Sequence, residues 1–401
     1  MWIFYVLALI PIAIGAYLFV KNESIVWWEW LIGSAAAFLV AGLMHWYAIH
    51  GMTSDIETWS GQITKVSHHP RWVEQYEESH TVTTGSGKNA TTTTYYTTEY
   101  DTHIEHWTAE RNFGTVVDDV DIDQYDYNDI VRKFGGKIYS DGTQSTRHLG
   151  HRYSGDNNIY SVDNVYRYVE PVTTTRNFQN RIKATPTVFS FSKVPSNVKV
   201  YEWPDNSDWR RSSRLLGTAS VLVNLYKWDC MNANLGPTKK VNVIMVGFND
   251  EPIDYGQMQQ AKWIGGKKND LVICFGGAKK GTPAQWVYVF GWTENELVKK
   301  NLESILMEVP INDNIIPLIF DEVAKNYVIK DWKKFDYIVI YPAARFYWIY
   351  FTILIITQCG LYYWFNINEY GKECKRYSYS NYGLFTRYAK SLASIDLEDF
   401  N

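Results

Sequence analysis

An uninterrupted apolar stretch of about 20 residues is the length a helix needs to cross the hydrocarbon core of a bilayer, and this chain has three candidates. The first, Met1–Val20, carries no charged side chain before Lys21. It lacks both the basic start and the small-residue cleavage site of a signal peptide, so an uncleaved anchor is expected. Its Pro11 and Gly15 are better tolerated in a membrane helix than in a soluble one. The second runs from Trp30 to Ile49, with Trp27, Trp28 and Trp30 at its entrance. Gly33, Ala37 and Ala41 recur at every fourth position of it. Such a stripe either admits a neighbouring helix closely or merely fills an apolar stretch. The short link Lys21–Ser24 turns the first two spans into a hairpin and makes Gly15 the natural partner of the stripe. The third, Phe346–Phe365, is flanked by Phe346, Tyr347 and Trp348 at one end and Tyr362, Tyr363 and Trp364 at the other. Aromatic rings favour the headgroup level, so this reads as a double belt. The third span holds no acid or lysine, which argues against an ion pathway.

Three spans place the termini on opposite sides and leave residues 51–343 on the N-terminal side. The tail from 366 to 401 carries Lys372, Lys375, Arg376, Arg387 and Lys390. The positive-inside bias then favours a cytoplasmic tail and an exoplasmic (periplasmic or extracellular) domain, opposed by Lys65, Lys333, Lys334 and Arg345 on the other side. A net charge of −4 over 401 residues argues against a nucleic-acid-coating protein. Four cysteines are too few for a disulfide scaffold.

The soluble stretch changes character near residue 205. Residues 51–205 read as a β-rich domain. Trp59–Val66 and Trp72–Tyr76 alternate roughly by two, and threonines flank Gly85–Asn89, which predicts a long hairpin. A short helix is expected around Tyr127, Ile130 and Val131, and loop over Ser140–Asn164. Residues 206–340 read as an α/β domain. Its apolar runs Val241–Val246, Leu271–Phe275 and Trp286–Phe290 have the length of core strands. Helices are expected over Arg214–Met231, Asp254–Trp263, Leu297–Val309 and Asp313–Tyr327, with Thr293 and Glu296 as a capping box for the third. The fold class is thus a multi-pass membrane protein with three transmembrane helices and a large soluble α+β segment.

The element order over residues 210–330, with the turn Trp263-Ile-Gly-Gly-Lys-Lys-Asn-Asp-Leu-Val-Ile273 into the second strand, resembles the TPM domain. That family comprises membrane-anchored or lumenal α/β modules, some of them metal-dependent and phosphatase-like. The family's Asp-Asn-Gly turn is replaced here by Asn269-Asp270-Leu271. The resemblance implies an anchored module facing away from the cytoplasm. In layout the chain also resembles membrane proteins of tailed bacteriophages and bacteria.

Candidate chemistry is sparse. His103 and His106, within a run that also holds His68, His69 and His80, are candidate metal ligands, although residues three apart in a strand face opposite ways. Asp118, Asp119, Asp121 and Asp123 fail the calcium-loop pattern because Gln124 stands where the turn needs glycine, and Asp126 is expected to cap the following helix. Asp250, Glu251, Asp254 and Asp270 near strand ends are the candidate ligands of a divalent ion, with capping as their alternative role. Gly276–Gly281 lacks the P-loop order and reads as a hairpin connection. Cys230 and Cys274 are either a disulfide pair or buried thiols. The expected function is a membrane-anchored, non-enzymatic binding or scaffold protein that meets the lipid bilayer and another membrane or envelope protein. It requires no cofactor, and a metal-dependent phosphohydrolase is the alternative.

Overall fold

Apolar runs without alternation must be covered on all sides or face lipid, and the chain divides along that line. The computed structural model describes residues 3–21, 27–85, 91–134, 137–139, 155–158, 170–185, 189, 191, 194–204 and 212–368. In chain order the elements are α1 (Ile3–Lys21), α2 (Trp27–Thr53), β1 (Ser54–His69), β2 (Trp72–Thr84), β3 (Thr91–His103), β4 (His106–Asn112), β5 (Val117–Ile122), α3 (Gln124–Phe134), β6 (Lys137–Tyr139), β7 (Gly155–Asn158), β8 (Pro171–Gln179) and α4 (Arg181–Ala184). They continue with β9 (Leu215–Gly217), α5 (Ala219–Leu222), α6 (Leu225–Lys239), β10 (Asn242–Phe248), α7 (Asp254–Lys262), β11 (Asp270–Gly276), β12 (Trp286–Gly291), α8 (Leu297–Glu308), α9 (Ile315–Asn326) and α10 (Ala344–Asn368). Two compact units result: Met1–Ser54 with Gln179–Thr185 and Phe335–Asn401, and Asp55–Phe178 with Pro186–Lys334. The β-rich and α/β stretches therefore share one unit, and the boundary near residue 205 falls inside it.

In the helical unit, α2 and α10 are long and apolar enough to cross a membrane, whereas the apolar stretch of α1 is shorter, Ile3–Tyr17. Phe4, Ala8, Ala37, Ala41, Ala48 and Tyr350 form the shared core of α1, α2 and α10. Gly33, Ala37 and Ala41 are all buried, so the stripe on α2 is a contact face. Tyr362 of α10 fills the gap beside Gly15 and Gly33. Backbone carbonyls take up the polar groups: Gln358 Nε2 donates to Gly33 O at 3.0 Å, and Trp30 Nε1 to Ile12 O at 3.1 Å. Tyr362 Oη donates to Pro11 O at 3.4 Å. Several expected belt residues thus serve helix contacts. Trp30 and Tyr362 turn inward, Phe346 is buried, Tyr347 lies on Phe4 and Trp28 meets Phe365 edge-on. Trp27, Trp348, Tyr363 and Trp364 are exposed.

In the second unit, β1 is the centre of a sheet ordered β5-β4-β1-β7-β6, with β8 also pairing β1. Ile63 and Val66 are both buried although three apart. A register shift between Ile63 and Lys65 explains this, because a bulge adds one residue to the period of two. α3 covers that face through Ile130, with Tyr127 and Val131 packed alongside. Asp123, rather than Asp126, caps α3: its Oδ1 accepts from Asp126 N at 2.6 Å. The expected loop at 140–164 contains the short strand β7, and its other residues lie outside those described. β2 and β3 form the expected hairpin, in register from Trp72↔His103 to Thr84↔Thr91. Its Gly85–Asn89 turn lies mostly outside the described residues.

The second sheet runs β12-β11-β10-β9, with β9, β10 and β11 parallel and β12 antiparallel. Val243, Met245, Leu271 and Ile273 face one layer, and Ile244, Val246, Val272 and Cys274 the other. Burial on both faces is why these strands read as continuous apolar runs. The expected helix over Arg214–Met231 is instead β9, α5 and α6. Gly217, at φ +61°, sits against Gly247 where β9 joins β10, which ends any helical path there. α6 also runs on through Pro237 to Lys239, and its Gly236 lies against Ser60, where a side chain would overlap. The Thr293–Glu296 capping box does not form. Thr293 bridges to Ile329 and its hydroxyl donates to Val328 O at 2.9 Å, while Asn295 Oδ1 accepts from Leu297 N.

Cys230 and Cys274 are free and buried, in clusters on different elements, so the disulfide alternative does not apply. Burial pushes the Cys230 thiol up to about 12 and raises Cys274 as well. Both should resist iodoacetamide at pH 8 in the folded chain and react once denatured, as peptide mass analysis would show; native labelling would contradict their burial. A side chain at Gly15 would overlap the Tyr362 hydroxyl and come within 2.9 Å of Trp30 Cδ1, whereas Gly42 has open space. Gly15→Leu should therefore lower stability by about 1–3 kcal/mol, and Gly42→Leu should leave the thermal midpoint in detergent unchanged.

Candidate functional site

The parallel strands of β10 and β11 put their carboxyl ends on one side, where open α/β sheets tend to bind ligands. Asp250 follows the carboxyl end of β10 and is exposed, as is Asp254 at the start of α7. Asp270 stands at the other end. It opens β11 opposite Asn242, the first residue of β10. At about 3.3 Å per residue, the strand between these ends measures roughly 20 Å, so Asp250 and Asp270 cannot ligate one ion.

Asp270 is instead the hinge of a buried polar network. Its Oδ1 accepts from Asn242 Nδ2 at 2.8 Å, and its Oδ2 from Trp203 Nε1 and Lys267 N, both at 2.9 Å. Burial raises its pKa against the pull of those donors. Asn242 Oδ1 in turn accepts from Arg214 Nε at 2.6 Å. Arg214 is 1% exposed and also donates to Asp229 at 2.9 Å and to Ser60 Oγ at 2.7 Å. Ser212 hydrogen-bonds the same Asp229 carboxylate. Burial lowers the pKa of Arg214 and raises that of Asp229; the pair offsets part of that cost for each partner. From β1, Asp55 pairs with Lys267, and Thr58 O accepts from Asn269 Nδ2 at 2.6 Å. These bonds make the network a clamp between β1 and the amino ends of β10 and β11.

The histidines are likewise engaged in pairs. His106 stacks on His69 with centroids 4.4 Å apart, while His103 ends β3 opposite Trp72. His68 meets Glu105 at 2.8 Å and stacks on Trp107. Among the described residues no three His, Cys, Asp or Glu side chains are grouped to hold a metal ion.

What remains open is a cleft of about 650 Å³ beside α7, within the range of small-molecule sites. Phe189, Phe191 and Trp292 supply aromatic walls; Asp254, Gln257 and Lys299 are among its polar groups. Phe189 meets Trp292 edge-on at 5.3 Å. Trp292 Nε1 donates to Gly266 O at 3.1 Å, which fixes its ring. Tyr288 Oη donates to Gln260 Oε1 at 2.5 Å, and burial raises its pKa, so it remains a neutral donor. The ionisable groups of the cleft lining are Asp254, Tyr288, Glu296, Lys299 and Lys330. Its members come from positions 189 to 330 and carry no local motif, so only the aromatic content of the chain hinted at them. No protein-family model, curated protein or solved structure matches this chain.

Arg214→Ala should destabilise the second unit by about 3–5 kcal/mol, because it strands a buried carboxylate. The double change Arg214→Met with Asp229→Leu should cost clearly less. Urea unfolding of the whole chain, followed by tryptophan emission, measures both, and equal losses would show that the ion pair is not the source.

Proposed function

We propose that this protein is a membrane-anchored binding module. α1, α2 and α10 all cross the bilayer in this reading, and the soluble unit meets another membrane or envelope component on the exoplasmic side. The observation that carries it is the open, aromatic-walled cleft beside α7 in a chain that also has two helices of membrane-crossing length. Aromatic walls set beside Asp254, Gln257, Glu296, Lys299 and Lys330 suit recognition of a partly polar ligand, and the carboxylates that a TPM-type phosphohydrolase would draw on are split between the two ends of the sheet. The contacts of Tyr362 with both Gly15 and Gly33 support α1 as a third span, since they join it to α2 and α10. The basic residues of the tail favour its cytoplasmic placement.

Compartment-sensitive reporters placed after Asn401 and within Gly85–Asn89 test this in the whole chain. The expected result is a chain that resists alkaline carbonate extraction, with a cytoplasmic tail and an exported loop. A cytoplasmic loop would reverse the orientation and turn the search to cytosolic partners. Steady hydrolysis of p-nitrophenyl phosphate with Mg²⁺ or Mn²⁺, abolished by Asp254→Asn, would replace the binding reading by the phosphohydrolase.

A further inference from the structure

The helical unit contains more than its helices. Two segments from distant parts of the chain, Gln179–Thr185 and the stretch from Phe335 to Ala343, belong to it. They meet at the helix ends. Asn180 N donates to Thr53 O, the last residue of α2, at 2.6 Å, and Lys183 Nζ donates to Ser54 O at 3.2 Å. Asn180 Oδ1 accepts from Lys183 N at 3.0 Å and holds that turn in shape. Arg181 donates to Ile338 O at 3.1 Å and pairs with Asp336 at 3.4 Å. Together these contacts form a collar that meets the Thr53 carbonyl, one of those a helix leaves unpaired at its C-terminus.

The stretch before α10 is two-sided. Phe335, Ile338 and Ile340 are buried, while Tyr337 and Tyr341 are each 69% exposed and Val339 45%. Chain length decides where this stretch lies if α10 spans a bilayer. Tyr341 is three residues before Ala344, the first residue of α10, a reach of at most about 11 Å. Lys183 is bonded one residue beyond α2. The polar layer on each side of the hydrocarbon core is roughly 5–8 Å deep, so the collar lies in or against it. Lys183 and Arg345 are exposed there, and the Arg181 charge is met by Asp336.

We infer that the Asn180–Lys183 turn and the Tyr337–Val339–Tyr341 row form a docking surface for anionic phospholipid headgroups. Lys183 and Arg345 face the phosphate, and the two tyrosine rings lie between headgroup and acyl chain, where amphipathic aromatics are favoured. This rests on the membrane-spanning part of the reading above, whichever side the collar faces, and adds a lipid preference to it.

The test uses the whole chain in nanodiscs of phosphatidylcholine, with or without phosphatidylglycerol, and measures amide exchange over residues 336–341. Exchange should slow by on the order of tenfold when the anionic lipid is present, as two basic groups at an anionic surface would give. Lys183→Gln with Arg345→Gln should abolish that difference while leaving the thermal midpoint near that of the parent. Tyr337→Ser with Tyr341→Ser should speed exchange in both lipids. Equal exchange in both lipids, unmoved by the charge changes, would overturn the inference even though the chain resists carbonate extraction. A chain that carbonate extracts would overturn the membrane reading and the inference with it.

Discussion

The buried guanidinium of Arg214 sets the terms for the second unit. A charge 1% exposed to solvent has to be met by fixed acceptors, and Arg214 finds them in Asp229 of α6, Asn242 of β10 and Ser60 of β1. Those three elements come from different parts of the sequence, and β1 and β10 belong to different sheets. Each donor has its own partner, so sliding β1 by one residue would exchange Ser60 for a neighbour on the opposite face and leave a donor unmet. The pair itself adds little net stability against an apolar replacement. Its effect is to allow one docking of β1 on the amino ends of β10 and β11. Asp270 belongs to the same chain of bonds, which explains why a carboxylate at a strand end here is architecture and not a ligand.

Fixing the amino ends leaves the other face of the sheet to α7 and the cleft. Gly256 of α7 lies against Tyr288, and a Cβ there would come within 2.9 Å of its Cβ. That close approach brings the helix onto β12 and leaves Asp254 and Gln257 along the cleft wall. The aromatic rings Phe189 and Trp292 complete it edge to face, a geometry their quadrupoles favour. Asp254, Gln257 and Tyr288 of the site thus lie on α7 and β12, and Phe189, Phe191 and Trp292 lie outside those elements.

The elements legible in the sequence were those whose signal is local. β10 and β11 are buried on both faces and so appear as unbroken apolar runs; α8 shows its periodic stripe because one face alone is covered. The Thr-rich hairpin announced itself through composition. Tertiary demands erased the local signal elsewhere. Arg214–Met231 has helical composition, but Leu215–Gly217 is recruited as a strand by Met245–Gly247. Thr293 has capping chemistry, and a bridge to Ile329 takes it away. The metal candidates looked close in sequence, and the parallel register of β10 and β11 put Asp250 and Asp270 at opposite ends. The clamp, the cleft and the collar were invisible for one reason: Arg181 and Ile338, for example, are 157 residues apart and share no pattern.

The collar also bears on how the helical unit can be assembled. The chain leaves that unit after Ser54, returns for Gln179–Thr185, leaves again and returns at Phe335. Closing such long excursions costs entropy that grows only with the logarithm of their length, so the thermodynamic penalty is modest. The kinetic consequence is larger, because contacts far apart in sequence form late. Until Asn180 reaches Thr53, the Thr53 carbonyl lacks that donor, and until Ile338 reaches Arg181 the approach to α10 is unfastened. α1 and α2 are consecutive elements and can pair as a hairpin early. α10 then fits last, since the Tyr362 side chain needs the space that both glycines leave. Gly15 is accordingly required twice, beside Trp30 within the hairpin and beside Tyr362 of the final helix.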